Sequence, residues 1–277
     1  MRPMRRTERR WPNRVRGFTL IEAVMVIAIT GIVIGVVSIF IVPATTAYFA
    51  SGARAQLGDQ ADTALRRIAR DLSLALPNSA RVSASNQSLE LIPISAAARY
   101  AVDSAGALQF GVAPIPTFSI VGPPLKLGHA SQQLAWYNLG AGIADADAYT
   151  LGNVRTATMA AGNASSVTVS GAALPNSLQA PPYRVYAIEQ PVTYRCDTST
   201  TPGTLTRYTG YGFSATQPDP PSGGTSAVLA RNVSACRIVY DGSPFATRYG
   251  VVTLALQLTS QNETVSLYHT VHIDNLP

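Results

Sequence analysis

Residues 16–42, RGFTLIEAVMVIAITGIVIGVVSIFIV, decide how this chain is organised. A basic leader ends at a small residue, Gly17. Phe18 then opens an apolar run that reaches Val42 and contains one charged residue, Glu22. The run is long enough to cross a bilayer as a helix. A secretory signal peptide has a shorter apolar core, with a small-x-small cleavage site after it. A carboxylate inside a membrane span costs about 2.5–3.5 kcal/mol at the centre on insertion scales. Glu22 is therefore a functional candidate, and its chemistry calls for a cationic partner. Gly31 and Gly35 form a GxxxG pair, a spacing that allows close helix contact but is a weak signal alone.

Upstream, Arg2, Arg5, Arg6, Arg9, Arg10, Arg14 and Arg16 stand against a single acid, Glu8. These residues account for the whole formal charge of +6, and the rest of the chain balances. The basicity is a leader property. It places the N-terminus on the cytoplasmic side and the body on the other. Without a basic face, the body gives no support for nucleic-acid binding.

Downstream, Pro43 is expected to kink or interrupt the helix. Leu57, Ala61, Leu65, Ile68, Leu72 and Leu76 then recur at helical spacing. That stripe could meet a partner helix in a filament, or pack on the protein's own sheet, which is the favoured reading. Asp62 and Arg66 sit four apart in the favourable order. Pro77-Asn78 is expected to stop the helix. From residue 79 the pattern changes to short β-like runs between Gly/Pro/Ser/Asn loops. Expected strands are Ser88–Ile94, Leu134–Leu139, Ser166–Ser170, Tyr183–Glu189, Val192–Asp197, Thr204–Tyr208, Cys236–Tyr240, Val251–Thr259 and Thr264–Ile273. The last two read as a hairpin around Ser260-Gln261-Asn262-Glu263. Gln217 to Thr225 reads as a Pro/Gly loop, and residues 140–182 show no readable organisation.

The expected fold is α+β: a long N-terminal helix, half transmembrane and half amphipathic, on an antiparallel β-rich head. The expected divisions are a leader (1–17), a transmembrane helix (18–42), an amphipathic helix (43–77) and a globular head (78–277). Cys196 and Cys236 both lie beyond the membrane segment, where disulfides are permitted. They are expected to pair; the alternative is two separate buried thiols.

No constellation supports catalysis, a metal or a cofactor, so the chain is not expected to be an enzyme. His269 and His272 are three apart on a strand and would face opposite sides, and His129 is alone. Gly-x-Ser-x-Gly, Walker, His-Glu-x-x-His and Cys-x-x-Cys patterns are absent. Trp136, Tyr137, Tyr208 and Tyr211 could make a sugar-binding surface, although core packing is favoured. Asn86, Asn163, Asn232 and Asn262 fit Asn-x-Ser/Thr and receive no role.

The junction Gly17-Phe18-Thr19-Leu20-Ile21-Glu22, behind a basic leader and opening an apolar helix, resembles the type IV prepilin family. The resemblance implies cleavage by prepilin peptidase between Gly17 and Phe18, and N-methylation of Phe18. It implies recognition through Thr19, Leu20, Ile21 and Glu22. The Glu22 carboxylate would meet the N-terminal amine of a neighbouring subunit, which fixes register between apolar helices. Implied partners are the peptidase/methylase, other major and minor pilins, the inner-membrane assembly platform and the membrane itself. The implied location is the inner membrane, single-pass, with a cytoplasmic N-terminus and a periplasmic head, and assembly into a surface pilus. Pro191–Asp197, Gly203–Tyr208, Asn232–Cys236 and Val271–Pro277 resemble the C-terminal half of O-type prepilin-like proteins of mannose-sensitive haemagglutinin (MSHA) pili. J-type minor pseudopilins of type II secretion share a similar strand pattern. A third reading is a membrane-anchored adhesin or carbohydrate-binding module. The chain departs from many family members in placing its proline, Pro43, a few positions later. A mature chain running from Phe18 to Pro277 is large for a shaft subunit, so the resemblance implies a minor one.

Overall fold

The computed structural model describes residues 17–241 and 249–277. The expected leader, apart from Gly17, lies outside them. The chain divides into two units, Met1–Gly52 and Ala53–Pro277. A single helix, α1 (Leu20–Ser73), runs through both.

In the first unit the large apolar side chains of α1 are exposed, from Leu20 through Phe49. By length and composition this helix can cross a membrane once. It passes Pro43 without a break, so the expected interruption does not occur. Two threonines stand in the turn after the proline. The Thr45 hydroxyl donates to the carbonyls of Ile41 and Val42, and that of Thr46 to Val42 and Pro43, at 2.9–3.0 Å. Local hydroxyls thus bond the carbonyls around the site where proline removes a backbone donor.

The second unit holds the rest of α1 and, among the described residues, sixteen strands. They are β1 (Arg81–Val82), β2 (Ser88–Leu91), β3 (Ile94–Tyr100), β4 (Phe118–Val121), β5 (Leu125–Leu127), β6 (Gln133–Trp136), β7 (Val154–Ala157) and β8 (Gly162–Ala164). There follow β9 (Ser166–Val167), β10 (Val169–Ser170), β11 (Arg184–Ile188), β12 (Val192–Asp197), β13 (Gly203–Thr209), β14 (Thr225–Asp241), β15 (Tyr249–Ser260) and β16 (Glu263–Asp274). Two seven-stranded sheets result, in the orders β1-β2-β12-β13-β14-β15-β16 and β10-β7-β6-β11-β3-β4-β9, with a small β5-β8 pair. All pairings are antiparallel.

The amphipathic stripe lands on the first sheet. Leu57, Ala61, Leu65, Ile68 and Leu72 are buried in one core with Leu89, Leu91, Tyr194, Leu205, Leu254 and Leu256. The stripe is therefore an internal packing face rather than a partner-helix face. Asp71 anchors the same contact: it accepts from the Tyr194 hydroxyl and lies 3.2 Å from the Arg207 guanidinium. Asp62 and Arg66 form the expected exposed pair at 2.6 Å, worth at most about 0.5 kcal/mol.

The helix ends at Ser73, before Pro77. The next residues join the sheet instead. Leu76 donates its amide to Ile92, and Leu74 accepts from Ile94. Here a tertiary pairing overrides the local stop signal. The expected strand Ser88–Ile94 is split for the same reason. Its Pro93 bridges Ala75, and the chain passes from β2 in one sheet to β3 in the other. Ser166–Ser170 likewise divides, β9 joining β4 and β10 joining β7. The final hairpin is tighter than expected. Ser260 pairs with Glu263, leaving a two-residue turn at Gln261 and Asn262, both at positive φ, as type I′ turns require. Asn86 and Asn232 also sit at positive φ, a conformation asparagine tolerates.

The Pro/Gly loop after β13 folds over the outer face of the first sheet and is held by charge. Asp219 accepts from Ser88 at 2.6 Å and from Arg195 at 2.9 Å. Arg81 donates to the carbonyls of Ser214 and Ala215 and to the fully buried Glu90, which also accepts from Tyr211. Burial pushes the Asp219 carboxyl up, but the hydrogen bonds from Ser88 and Arg195 outweigh it and hold the group below its ordinary value of 3.8. A depressed carboxyl stabilises above the unfolded value, and that contribution is lost as pH falls through the lower folded value. The Asp219→Asn variant is accordingly expected to expose residues 210–224 at neutral pH. Hydrogen exchange there should speed up about tenfold, consistent with losing charged hydrogen bonds. The parent chain should show the same loosening only below pH 3.8. Equal protection in the two chains at neutral pH would contradict this.

Candidate functional site

The residues singled out at the N-terminus form one contiguous surface at the start of α1. Gly17, Phe18 and Thr19 precede the helix, and Leu20 begins it. Phe18, Leu20 and Ile21 are 72%, 83% and 65% exposed. Glu22 is exposed in the first helical turn.

Thr19 has a role that reading the motif as a processing signal does not reveal. Its hydroxyl accepts from the Glu22 amide at 3.3 Å, while its carbonyl accepts from Ala23. Thr-x-x-Glu is the capping-box spacing, so the signal was legible in Thr19-Leu20-Ile21-Glu22. The acid of the motif thus stands at the positive end of the helix dipole, and threonine fixes where the helix begins. Thr19→Ala is expected to weaken the cap by about 1 kcal/mol. In detergent micelles, exchange at the Glu22 and Ala23 amides should rise about fivefold; unchanged exchange would mean the hydroxyl does not cap.

The cysteines form a bond within the head. Cys196 on β12 and Cys236 on β14 are disulfide-linked, with Cα atoms 6.2 Å apart. The bond follows the irregularity between Val233 and Ala235, where β14 leaves its pairing with β13 and Ile238 donates to Asn86.

Other candidates disperse. His269 lies on the half-buried side of β16, between Leu267 and Val271, and His272 on the exposed side. His129 instead faces Glu189 at 3.5 Å. Trp136 is fully buried against Phe118, and the Tyr211 hydroxyl is engaged by Glu90 and Thr193. Trp136, Tyr137, Tyr208 and Tyr211 therefore make no common sugar platform. Among the described residues, no cluster of His, Cys, Asp or Glu has the arrangement of a metal site.

Residues 12–38 match a family model described as the prokaryotic N-terminal methylation motif. The chain carries a prepilin-type methylation motif. The match covers residues on both sides of Gly17 and the first part of α1, and it does not reach the head. It supports a type IV pilin-like protein that is processed and methylated. A prepilin-type motif implies processing by prepilin peptidase and pilin assembly. No curated protein and no solved structure matches the chain.

Proposed function

We propose that this chain is a minor type IV pilin-like subunit of an MSHA-type pilus, cleaved between Gly17 and Phe18, methylated on Phe18, and assembled through Phe18 and Glu22. The observation that carries this reading is an exposed apolar segment of α1, Leu20 to Phe49, whose only charged residue, Glu22, stands in the first helical turn within the matched motif. A carboxylate there is costly in lipid unless paired. The methylated amine of an adjacent Phe18 is a cation of the right reach. Pairing would draw the subunit from the membrane into a filament. The divisions at 17/18, 42/43 and 77/78 belong to this proposal, as do the periplasmic head and the inner-membrane location. The partners would be the peptidase/methylase, the assembly platform, and other major and minor pilins. The MSHA assignment is supported by the sequence stretches Pro191–Asp197 and Val271–Pro277, which lie in β12 and at the end of β16.

The test is intact-mass and N-terminal peptide spectrometry of the membrane-purified protein, with and without prepilin peptidase. A chain starting at N-methylated Phe18 only when the peptidase is present is the expected result. An intact arginine leader in both strains would end the proposal. Gene deletion then separates the systems: lost surface pili and adhesion mark MSHA-type pili, and lost protein secretion marks a J-type pseudopilin. Glu22→Ala should abolish assembly; an anchored adhesin would tolerate it.

A further inference from the structure

A cleft of about 840 Å³ opens between the two large sheets of the head. This is within the range of small-ligand sites, roughly 300–1,000 Å³. We propose that it binds a neutral saccharide. The proposal concerns the head alone and holds whether or not the chain enters a filament.

The apolar part of the lining is Pro93 and Phe213, both half-buried, backed by the buried Ile188 and Val192. Phe213 follows Gly212, which turns the chain at a φ of 84°. The rim is polar and mostly uncharged, and Gln133, Gln190, Thr156 and Thr209 line it. A pyranose ring has this same division, with a C–H face that packs on an aromatic or aliphatic surface and hydroxyls around its edge. Each glutamine amide offers both donors and an acceptor, and each threonine hydroxyl offers one donor and acceptor sites. Such groups match hydroxyls, which need both. Glu189 adds a carboxylate at the rim, positioned by Gln132 at 3.4 Å and His129 at 3.5 Å. A carboxylate accepts only, so it suits a pair of sugar hydroxyls.

Two competing ligand classes fit less well. A peptide that adds a strand needs free backbone groups. The lining strands β6, β7, β11, β12 and β13 are each paired on both sides. An anion needs an available cation. The one guanidinium lining the cleft among the described residues, Arg207, is committed to Asp71 and Tyr194. Glu189 would repel an anion besides.

The experiment is binding of the full mature chain, in nanodiscs, to a printed panel of neutral and sialylated oligosaccharides and to a random peptide mixture. Nanodiscs replace glycosidic detergents, whose headgroups would compete. At least one neutral oligosaccharide should bind saturably. Gln190→Ala and Phe213→Ala should each weaken that binding about tenfold. Gln190 is exposed, so its variant keeps the fold and isolates the contact. Tyr268→Ala, on the exposed side of β16, should leave binding unchanged. The proposal is overturned if no neutral oligosaccharide binds, if only sialylated glycans or peptides bind, or if binding survives both cleft variants.

Discussion

Gly17→Leu is expected to leave the chain uncleaved, with the arginine leader still attached and no methylated phenylalanine. Intact-mass spectrometry of the membrane fraction reads this directly as retention of the whole segment Met1–Gly17. The argument is steric. A peptidase acting at the membrane surface must fit the residue on the leader side of the bond. Glycine presents no side chain, and leucine presents four carbons. The folded protein is indifferent to the change. A Cβ built on Gly17 meets nothing within 4 Å, and the residue precedes both α1 and the packed head. Any defect therefore belongs to processing rather than folding. Gly17→Ala, which keeps the residue small, should be cleaved. Normal cleavage of Gly17→Leu would show that the junction is not read as proposed.

The second large effect is in the head. Replacing both Cys196 and Cys236 with alanine should lower the stability of the second unit by roughly 4 kcal/mol, the chain-entropy value for a loop of this length. The bridge closes a segment of 40 residues that contains β13, the Asp219 loop and most of β14. Without it the unfolded chain regains that loop's freedom, while the folded head loses little contact. Guanidinium unfolding followed by tryptophan fluorescence measures the change, since Trp136 is buried in the second core. The midpoint should fall and the slope should rise, because the unlinked unfolded chain is less compact. A midpoint equal to the parent's would mean that the bond adds no constraint. Cleavage at Gly17/Phe18 should be unaffected, because that junction lies in the other unit.

The N-terminal motif was legible because it is local chemistry. A small residue, an aromatic, a single acid and an uninterrupted apolar run are all adjacent in the chain. The stripe Leu57–Leu72 was legible because its period repeats over several turns. The β12, β13, β15 and β16 strands showed through their own alternation or apolar content. Residues 140–182 did not show, because their order comes from single contacts between residues well separated within the segment rather than from a repeating pattern. Arg155 donates to the carbonyls of Gly152, Val154, Ala172 and Ala173, and so pins a loop that has no pattern of its own. Likewise Asn78 donates to the carbonyls of Asn138 and Asn275, and Asn138 to that of Pro77. This joins the helix exit, the second sheet and the C-terminus through residues nearly 200 apart in sequence.

The sequence by itself therefore determined the apolar span, the position of its acid and the helix face that must be buried. Each depends on neighbours within a few residues, and hydrophobicity and helical period are properties of such short spans. Only the tertiary structure decided that the stripe packs on the protein's own sheet and that the helix ends at Ser73. It also decided that the head has two large sheets with separate cores and a cleft between them. Those outcomes depend on pairings between distant strands and on side chains bonding to remote carbonyls, whose partners no local pattern names.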